Sequence, residues 1–259
     1  MRFSAAFFTG GEVMEFITLG KTNLMVSRSG LSTRRLELIS PEGTSSILDA
    51  AYTAGINLYE FSCQSMDICA NAGTFFYDKR KNVVISVTSE IQENTNLQTK
   101  IDSALGSLYM DYIDVFNIKS DEFIDYSVYS QLEKAKSDGK VKYFGFYARN
   151  LELAKKVVVS KLYDVLHYPL NIQSTDEELE LVNLCQENDV GLIARMPLAG
   201  GKIDNVPIAF GFLKKFENVV PVYSVKDYDE IQKLIYFEEN PPVADTAFNE
   251  EVSLIRNVV

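Results

Sequence analysis

Short runs of apolar residues recur along the chain, and most are followed by a segment with helical periodicity. The runs are continuous rather than alternating, which is typical of parallel strands covered on both faces. They span residues 56–62, 82–88, 112–118, 142–147, 163–168, 190–195 and 218–224. A weaker strand candidate lies near residues 31–38, so the chain offers eight strand candidates in all.

The segments between these runs have the pattern of amphipathic helices. Residues 45–55, 99–108 and 177–188 each place their apolar side chains on one helical face. Gly55 is expected to end the first of these helices. Asp227, with Glu230 three residues later, resembles a capping box at the start of a further helix. Strands and helices that alternate with short connections predict parallel strands joined by right-handed crossovers.

The number and spacing of these units favour one architecture. Eight units within roughly 220 residues, without a glycine fingerprint after the first strand, favour a closed (β/α)8 TIM barrel over a doubly wound sheet. Residues 15–27 read as an N-terminal β-hairpin turning at residues 20–23, which could cap one end of the barrel. We therefore expect a single barrel domain over residues 14–259. Residues 1–13 are expected to be a disordered arm, or to be untranslated if Met14 is the true start.

Composition excludes several classes of function. A net charge of −11 argues against nucleic-acid binding and against anionic membranes, although one local basic pocket for a phosphorylated cofactor remains compatible with it. Three cysteines without a CxxC pair predict neither a disulfide framework nor a zinc or iron–sulfur site. The single histidine, His167, rules out a multi-histidine metal site, so no metal is expected. The absence of a long apolar run and the cysteine usage indicate a cytoplasmic protein without a transmembrane helix.

Five stretches together carry a likeness to a known family. They are "ITLGKTNLMVS" (17–27), "AGINLYE" (54–60), "SLYMDYIDVFNIK" (107–119), "SDGKVKYFGF" (137–146) and "PLAGG" (197–201). Each is similar to a segment of the aldo-keto reductase family, and the likeness runs from about Met14 to the helix after Ser224. This resemblance implies the same barrel fold and an NADPH-dependent reduction of carbonyl groups.

The catalytic tetrad implied by the resemblance is replaced in this chain. In the family a Tyr protonates the developing alkoxide, a Lys paired with an Asp lowers the pKa of that Tyr, and a His orients the carbonyl. The Asp position falls on Glu60, the Tyr position on Ser65, the Lys position on Thr88 and the His position on Lys119. Serine is not an acid near neutral pH, and loss of a positioned general acid typically costs about 10²–10⁴ in rate.

The cofactor positions implied by the resemblance are only partly kept. Asn171 matches an Asn that follows the sixth barrel strand, and Gly200-Gly201 belongs to the loop after the seventh. Tyr223-Ser224 stands where the family shows Pro-Gly, with Lys226 as the cation that follows. Asp227 then occupies the expected helix N-cap, where a carboxylate competes with a bound phosphate. NADP(H) is thus the cofactor that the resemblance implies, and these substitutions weaken the site for it.

Glu60 and Lys119 invite a more specific hypothesis. Both should end barrel strands, with Thr88 on the strand between them, so their backbones would lie roughly 10 Å apart. The two long side chains could then meet over Thr88 as an ion pair that merely neutralises polar groups in the barrel mouth. Alternatively, Lys119 could act as a base or Schiff-base nucleophile. His167 is expected inside the barrel or at its rim as a hydrogen-bonded polar residue.

Three functional hypotheses follow. The first is an aldo-keto-reductase-like protein that has lost the reductase chemistry and acts as a ligand-binding or regulatory module for a small molecule or a protein partner. The second is an atypical NADP(H)-dependent oxidoreductase that acts on a small carbonyl substrate by hydride positioning alone. The third is lysine-based carbonyl chemistry at Lys119. The sequence names neither the ligand nor the partner.

Overall fold

Eight parallel strands close into a barrel in this computed structural model, which describes residues 14–62, 66–91, 95–124 and 126–256. In order around the barrel, the strands are β3 (Gly30–Ser32), β4 (Leu58–Ser62), β5 (Val84–Glu90), β6 (Ile113–Lys119), β7 (Val141–Tyr147), β8 (Val165–Pro169), β9 (Gly191–Arg195) and β10 (Val219–Ser224). β10 pairs with β3 and closes the circle. The predicted barrel is confirmed, while the expected arm 1–13 lies outside the described residues.

Helices follow the barrel strands and pack around them. They are α1 (Pro41–Thr53), α2 (Met66–Phe76), α3 (Leu97–Leu108), α4 (Tyr126–Ser137), α5 (Leu151–Ser160), α6 (Asp176–Glu187), α7 (Val206–Lys214), α8 (Tyr228–Glu239) and α9 (Thr246–Arg256). Six of them start after a polar residue whose side chain accepts a backbone N–H of the first turn: Ser40, Asn96, Asn150, Thr175, Asn205 and Asp227. Gly55 follows α1 with a positive φ of 90°, as expected for a helix end. No helix in the described residues is long and apolar enough to cross a bilayer.

The strand boundaries lie within two residues of the predicted ones, with one exception. Of the weak first candidate, 31–38, only Leu31 and Ser32 are extended, in a strand that begins at Gly30, and Thr33–Leu38 forms a 3-10 helix. The Ser32 side chain accepts the backbone N–H of Arg34 and so caps this helix. The prediction of a strand through residue 38 was therefore wrong, because a local capping bond turns the chain after three extended residues.

The side chains of the barrel strands divide into two cores. Outward-facing residues such as Tyr59, Phe61 and Phe116 pack against the helices in the larger core. Inward-facing residues form a smaller apolar core at the amino-terminal end of the barrel, made of Leu58, Val84, Val115, Val165, Ile193, Val220 and Val222. The alternation of side chains along each strand produces both cores from one continuous apolar run.

The N-terminal hairpin closes the amino-terminal end of the barrel. Its strands are β1 (Phe16–Thr18) and β2 (Met25–Ser27), and they pair antiparallel. Leu19 and Val26 are buried against the inner apolar core. The Lys21 N–H donates to the Asp189 carbonyl at 2.7 Å, and the Ser27 N–H donates to the Asn57 side chain at 2.8 Å. The hairpin thus caps the barrel, as the sequence predicts.

The turn of this hairpin depends on Gly20. Its φ is +55°, and a Cβ at this position would lie 2.2 Å from the backbone nitrogen of Gly191. Gly20→Ala should therefore destabilise the protein by about 3 kcal/mol, through backbone strain and overpacking together. Urea denaturation would measure this loss.

Gly139 provides a matched control. Its φ is +74°, yet a Cβ there would meet no atom within 4 Å. Gly139→Ala should cost only the backbone strain, about 1 kcal/mol. Equal losses in the two variants would contradict the close approach of the hairpin to β9.

Candidate functional site

Above the apolar core, the barrel interior becomes polar. On four strands the next inward residue after an apolar one is polar or charged, because inward positions recur every second residue. Thus Glu60 follows Leu58, Asn117 follows Val115, His167 follows Val165 and Arg195 follows Ile193. With Ser32 and Ser86 these residues form a buried polar layer towards the carboxyl-terminal end, where barrel proteins carry their functional sites.

A buried ion pair joins opposite sides of this layer. Arg195 Nη1 on β9 lies 2.6 Å from Glu60 Oε1 on β4, and the two side chains are 11% and 1% exposed. The Ser32 hydroxyl donates to the other carboxylate oxygen at 2.7 Å. Burial alone would raise the pKa of Glu60, but the charge of Arg195 and the hydrogen bond from Ser32 contribute to lowering it, and the net direction is downward. Glu60 is therefore an ionised carboxylate held by a fixed cation.

The predicted ion pair between Glu60 and Lys119 was wrong. Glu60 lies beside Ser86 of β5 in the strand register, whereas Lys119 lies beside Glu90, four residues further along the same strand. That offset is roughly 13 Å at the rise of a β-strand. Lys119 Nζ instead pairs with Glu90 Oε2 at 3.1 Å. Strand ends that look equivalent in sequence thus lie at different heights in the staggered barrel.

Lys119 belongs to a charged network on the rim. Glu90 also pairs with Arg149 at 3.3 Å, and Arg149 pairs with Asp121 at the same distance. A nucleophilic lysine needs a desolvated pocket or a second cation close to it. Lys119 has a carboxylate partner in this network, which argues against the third hypothesis, lysine-based carbonyl chemistry.

Thr88 lies beside Asn117 across β5 and β6, not beside Glu60. The Asn117 amide donates to the Ser86 hydroxyl at 2.8 Å and to the Val87 carbonyl at 3.2 Å. A Cβ on Gly145 would lie 1.9 Å from Asn117 Oδ1, so a glycine on β7 makes room for this side chain. Thr88 is thus a buried part of the polar layer, and Ser65, at the Tyr position of the tetrad, lies outside the described residues.

His167 lies inside the barrel and is fully buried. Neither ring nitrogen has a hydrogen-bond partner among the described residues, so the interior position is confirmed but the expected hydrogen bonds are not found. Burial and then the positive charge of Arg195 lower the pKa of His167 to about 3, against the opposing charge of Glu60. The imidazole is accordingly neutral at pH 7.

A cavity of about 560 Å³ opens above the ion pair at the carboxyl-terminal mouth. Its wall includes the three arginines Arg34, Arg35 and Arg195, the aromatic Tyr147, and the loop after β9. The Arg195 guanidinium carbon lies 5.2 Å from the centre of the Tyr147 ring. Sequence reasoning missed both residues. The available signal for Arg195 was a lone charge at the end of an otherwise apolar strand.

The structure brings together three of the five cofactor candidates. Gly200, Gly201 and Ser224 line the mouth cavity. Asn171 uses its side-chain amide to donate to the Met196 carbonyl at 3.2 Å, which ties the loop after β8 to the loop after β9. Lys226 lies outside the cavity, in a surface groove between α1 and α8.

The aldo/keto reductase family model matches residues 29–234. The chain belongs to the aldo/keto reductase family. An aldo-keto reductase from Bacillus halodurans, in its holo form, is 16% identical with a TM-score of 0.81, over 93% of this chain and 96% of that one. A "putative aldo-keto reductase" from Pseudomonas aeruginosa is 17% identical with a TM-score of 0.77, over 89% and 97%. A second from that organism is 19% identical with a TM-score of 0.74, over 85% and 91%. These likenesses show the fold.

Aldo-keto reductases generally bind NADP(H), and the start of α8 is where this barrel would hold a phosphate. Here carboxylates occupy that position. Asp227 accepts the Glu230 N–H at 2.8 Å, and Glu230 Oε2 accepts the Lys226 N–H at 3.0 Å. Two cations share Glu230, which lies 3.4 Å from Lys226 and 3.3 Å from Arg35. The N-cap predicted for Asp227 is confirmed, and these residues do not fit a phosphate.

The described residues contain no group of three or more His, Cys, Asp or Glu side chains that could hold a metal ion. The titratable and charged side chains of the site lie in the polar layer and around the mouth. Within this aldo-keto reductase barrel the polar layer supplies the Glu60–Arg195 pair and a neutral imidazole, and the mouth adds Arg34, Arg35, Glu230 and the phenol of Tyr147.

His167 gives the protein a specific pH dependence. Its pKa is about 3 when folded and about 6.5 when unfolded, so the unfolded state takes up the proton first as the pH falls. The stability is complete above pH 6.5 and declines below it, by about 2 kcal/mol at pH 5. Urea denaturation between pH 7 and pH 5 would measure this loss.

The loss of stability between pH 7 and pH 5 can be assigned to His167, because it is the only histidine in the chain. His167→Gln should remove most of the pH dependence in this window, whatever its effect on absolute stability. A variant with the same slope as the wild type would show that the imidazole is not buried in its neutral form.

Proposed function

We propose that this aldo-keto-reductase-like chain is not a competent carbonyl reductase and acts as a ligand-binding or regulatory module, a pseudoenzyme of its family. The observation that carries the proposal is the buried pair of Glu60 and Arg195 under the mouth cavity. In this pair the carboxylate of Glu60, at the tetrad's Asp position, is already bound to a fixed cation, the guanidinium of Arg195. A cation held in this way supports the polar layer of the barrel.

The other tetrad positions also support this proposal. Thr88 is buried in the polar layer beside Asn117, and Lys119 is paired with Glu90 on the rim. Neither has the chemistry of the family's Lys or His at its position. Carbonyl reduction requires a proton donor close to the developing alkoxide, and Ser65 has no acidity near neutral pH.

The phosphate position argues in the same direction. Asp227 and Glu230 satisfy backbone N–H groups at the start of α8 that an anion would otherwise use. Two carboxylates near the same point repel a phosphate. NADP(H) is therefore not proposed as a resident cofactor of this chain.

A second candidate function rests on Tyr147. Its ring contacts Arg195, and Arg195 in turn contacts Glu60, so a phenol, a cation and a carboxylate follow one another in the mouth. The family's tetrad has the same three chemical groups. This arrangement favours, as the alternative, an atypical NADP(H)-dependent oxidoreductase for a small carbonyl substrate, with Tyr147 as the proton donor.

The proposed module is cytoplasmic and acts through a small-molecule ligand or a protein partner. Support for a reducing compartment comes from Cys69 and Cys185, which are free and buried. The net charge of −11 argues against nucleic acid and anionic membrane surfaces as partners. The mouth cavity is the site proposed for a small molecule, since its volume is typical of ligand pockets.

Titration with NADPH separates the two candidate functions. A ligand that binds the folded protein raises its melting temperature, so the proposed module should show no shift at millimolar NADPH. Micromolar binding, together with NADPH oxidation in the presence of a small aldehyde, would instead establish the oxidoreductase. In that case Tyr147→Phe should abolish turnover while leaving NADPH binding unchanged.

A further inference from the structure

We propose that the mouth cavity binds a small organic carboxylate, whose anionic group is held by Arg34 next to Arg195 and Tyr147. The proposal rests on the ligand-binding function above and names the class of ligand. Neither the family's tetrad nor the phosphate position at α8 supplies these residues.

Arginine side chains are concentrated in the cavity, although the protein as a whole is acidic. Three of the eight arginines of the chain line it, although the net charge is −11. Two of the three have carboxylate partners, since Arg195 pairs with Glu60 and Arg35 pairs with Glu230. Such a concentration of cations in one concave site raises the local concentration of anions.

Arg34 is the third of these arginines, and it has no carboxylate partner among the described residues. It lies in the 3-10 helix after β3, and its side chain lines the cavity. Within residues 14–62, 66–91, 95–124 and 126–256, no ion pair or side-chain hydrogen bond engages its guanidinium group. The three arginines outnumber Glu60 and Glu230 by one, so the cavity carries at least one unbalanced positive charge, which suits an anionic ligand.

The rest of the wall indicates an organic ligand. Met196, Pro197, Leu198 and Val222 supply apolar surface, and Ser224 and Tyr147 supply hydroxyl groups. An arginine fork matches the geometry of a carboxylate, and a hydroxyl can donate to the same group. A phosphate dianion would bring more charge than Arg34 can balance, and Glu230 on the same wall would repel it.

Isothermal titration calorimetry with benzoate tests the proposal, with benzyl alcohol as a neutral analogue of similar size. Benzoate should bind the wild-type protein, and benzyl alcohol should bind at least tenfold more weakly because it carries no charge. Inorganic phosphate should also bind more weakly than benzoate. Equal affinity for benzoate and either comparison compound would overturn the assignment of a carboxylate.

Variants of exposed arginines identify the residue. Arg34→Gln should weaken benzoate binding about tenfold, which corresponds to 1.4 kcal/mol. Arg149→Gln is the matched control, because Arg149 pairs with Glu90 and Asp121 and does not line the cavity. The control should leave benzoate binding unchanged. Unchanged binding in Arg34→Gln, or equal losses in both variants, would overturn the role of Arg34.

A parallel titration with NADPH keeps the two proposals separate. Absent binding of benzoate together with absent binding of NADPH would overturn the carboxylate proposal alone. NADPH-dependent reduction of an aldehyde would overturn the proposed function. Benzoate binding that requires Arg34 would still establish the carboxylate site in that case.

Discussion

The ion pair between Glu60 and Arg195 is the interaction on which the upper half of the barrel depends. It links β4 to β9 across the interior, where the cost of removing two charges from water is several kcal/mol per ion. The short distance between the guanidinium of Arg195 and the carboxylate of Glu60, together with the hydrogen bond from Ser32, offsets this cost. Loss of one partner alone leaves an uncompensated charge next to the neutral His167, so a single substitution should destabilise this layer.

Under the proposed function, this pair would let the barrel of an aldo-keto reductase persist without the family's tetrad. The lower barrel is closed by apolar residues and by the hairpin. In the upper layer, the charge of Glu60 is balanced within the barrel by Arg195. Fold does not fix function, so the same barrel can be retained while the chemistry at its mouth changes.

The sequence predicted the elements well because each strand is a continuous apolar run, and because caps such as Asp227 act locally. It failed where the answer depends on the register of the closed barrel. Glu60 and Lys119 were assumed to lie at the same height, but the stagger between strands separates them. For the same reason nothing in the local sequence of β9 indicated that Arg195 reaches across to β4. The capping bond at Ser32 was likewise too local to show in an apolar pattern.

A double-mutant cycle on the buried pair tests this account most directly. Glu60→Gln, Arg195→Met and the double variant would be compared with the wild type by urea denaturation at pH 7. Each single substitution should cost about 3–5 kcal/mol, because it leaves one buried charge unpaired. The double variant should cost clearly less than the sum of the two, with a coupling of about 2 kcal/mol or more. Additive losses would show that Glu60 and Arg195 act independently, and would contradict the central role given to their ion pair.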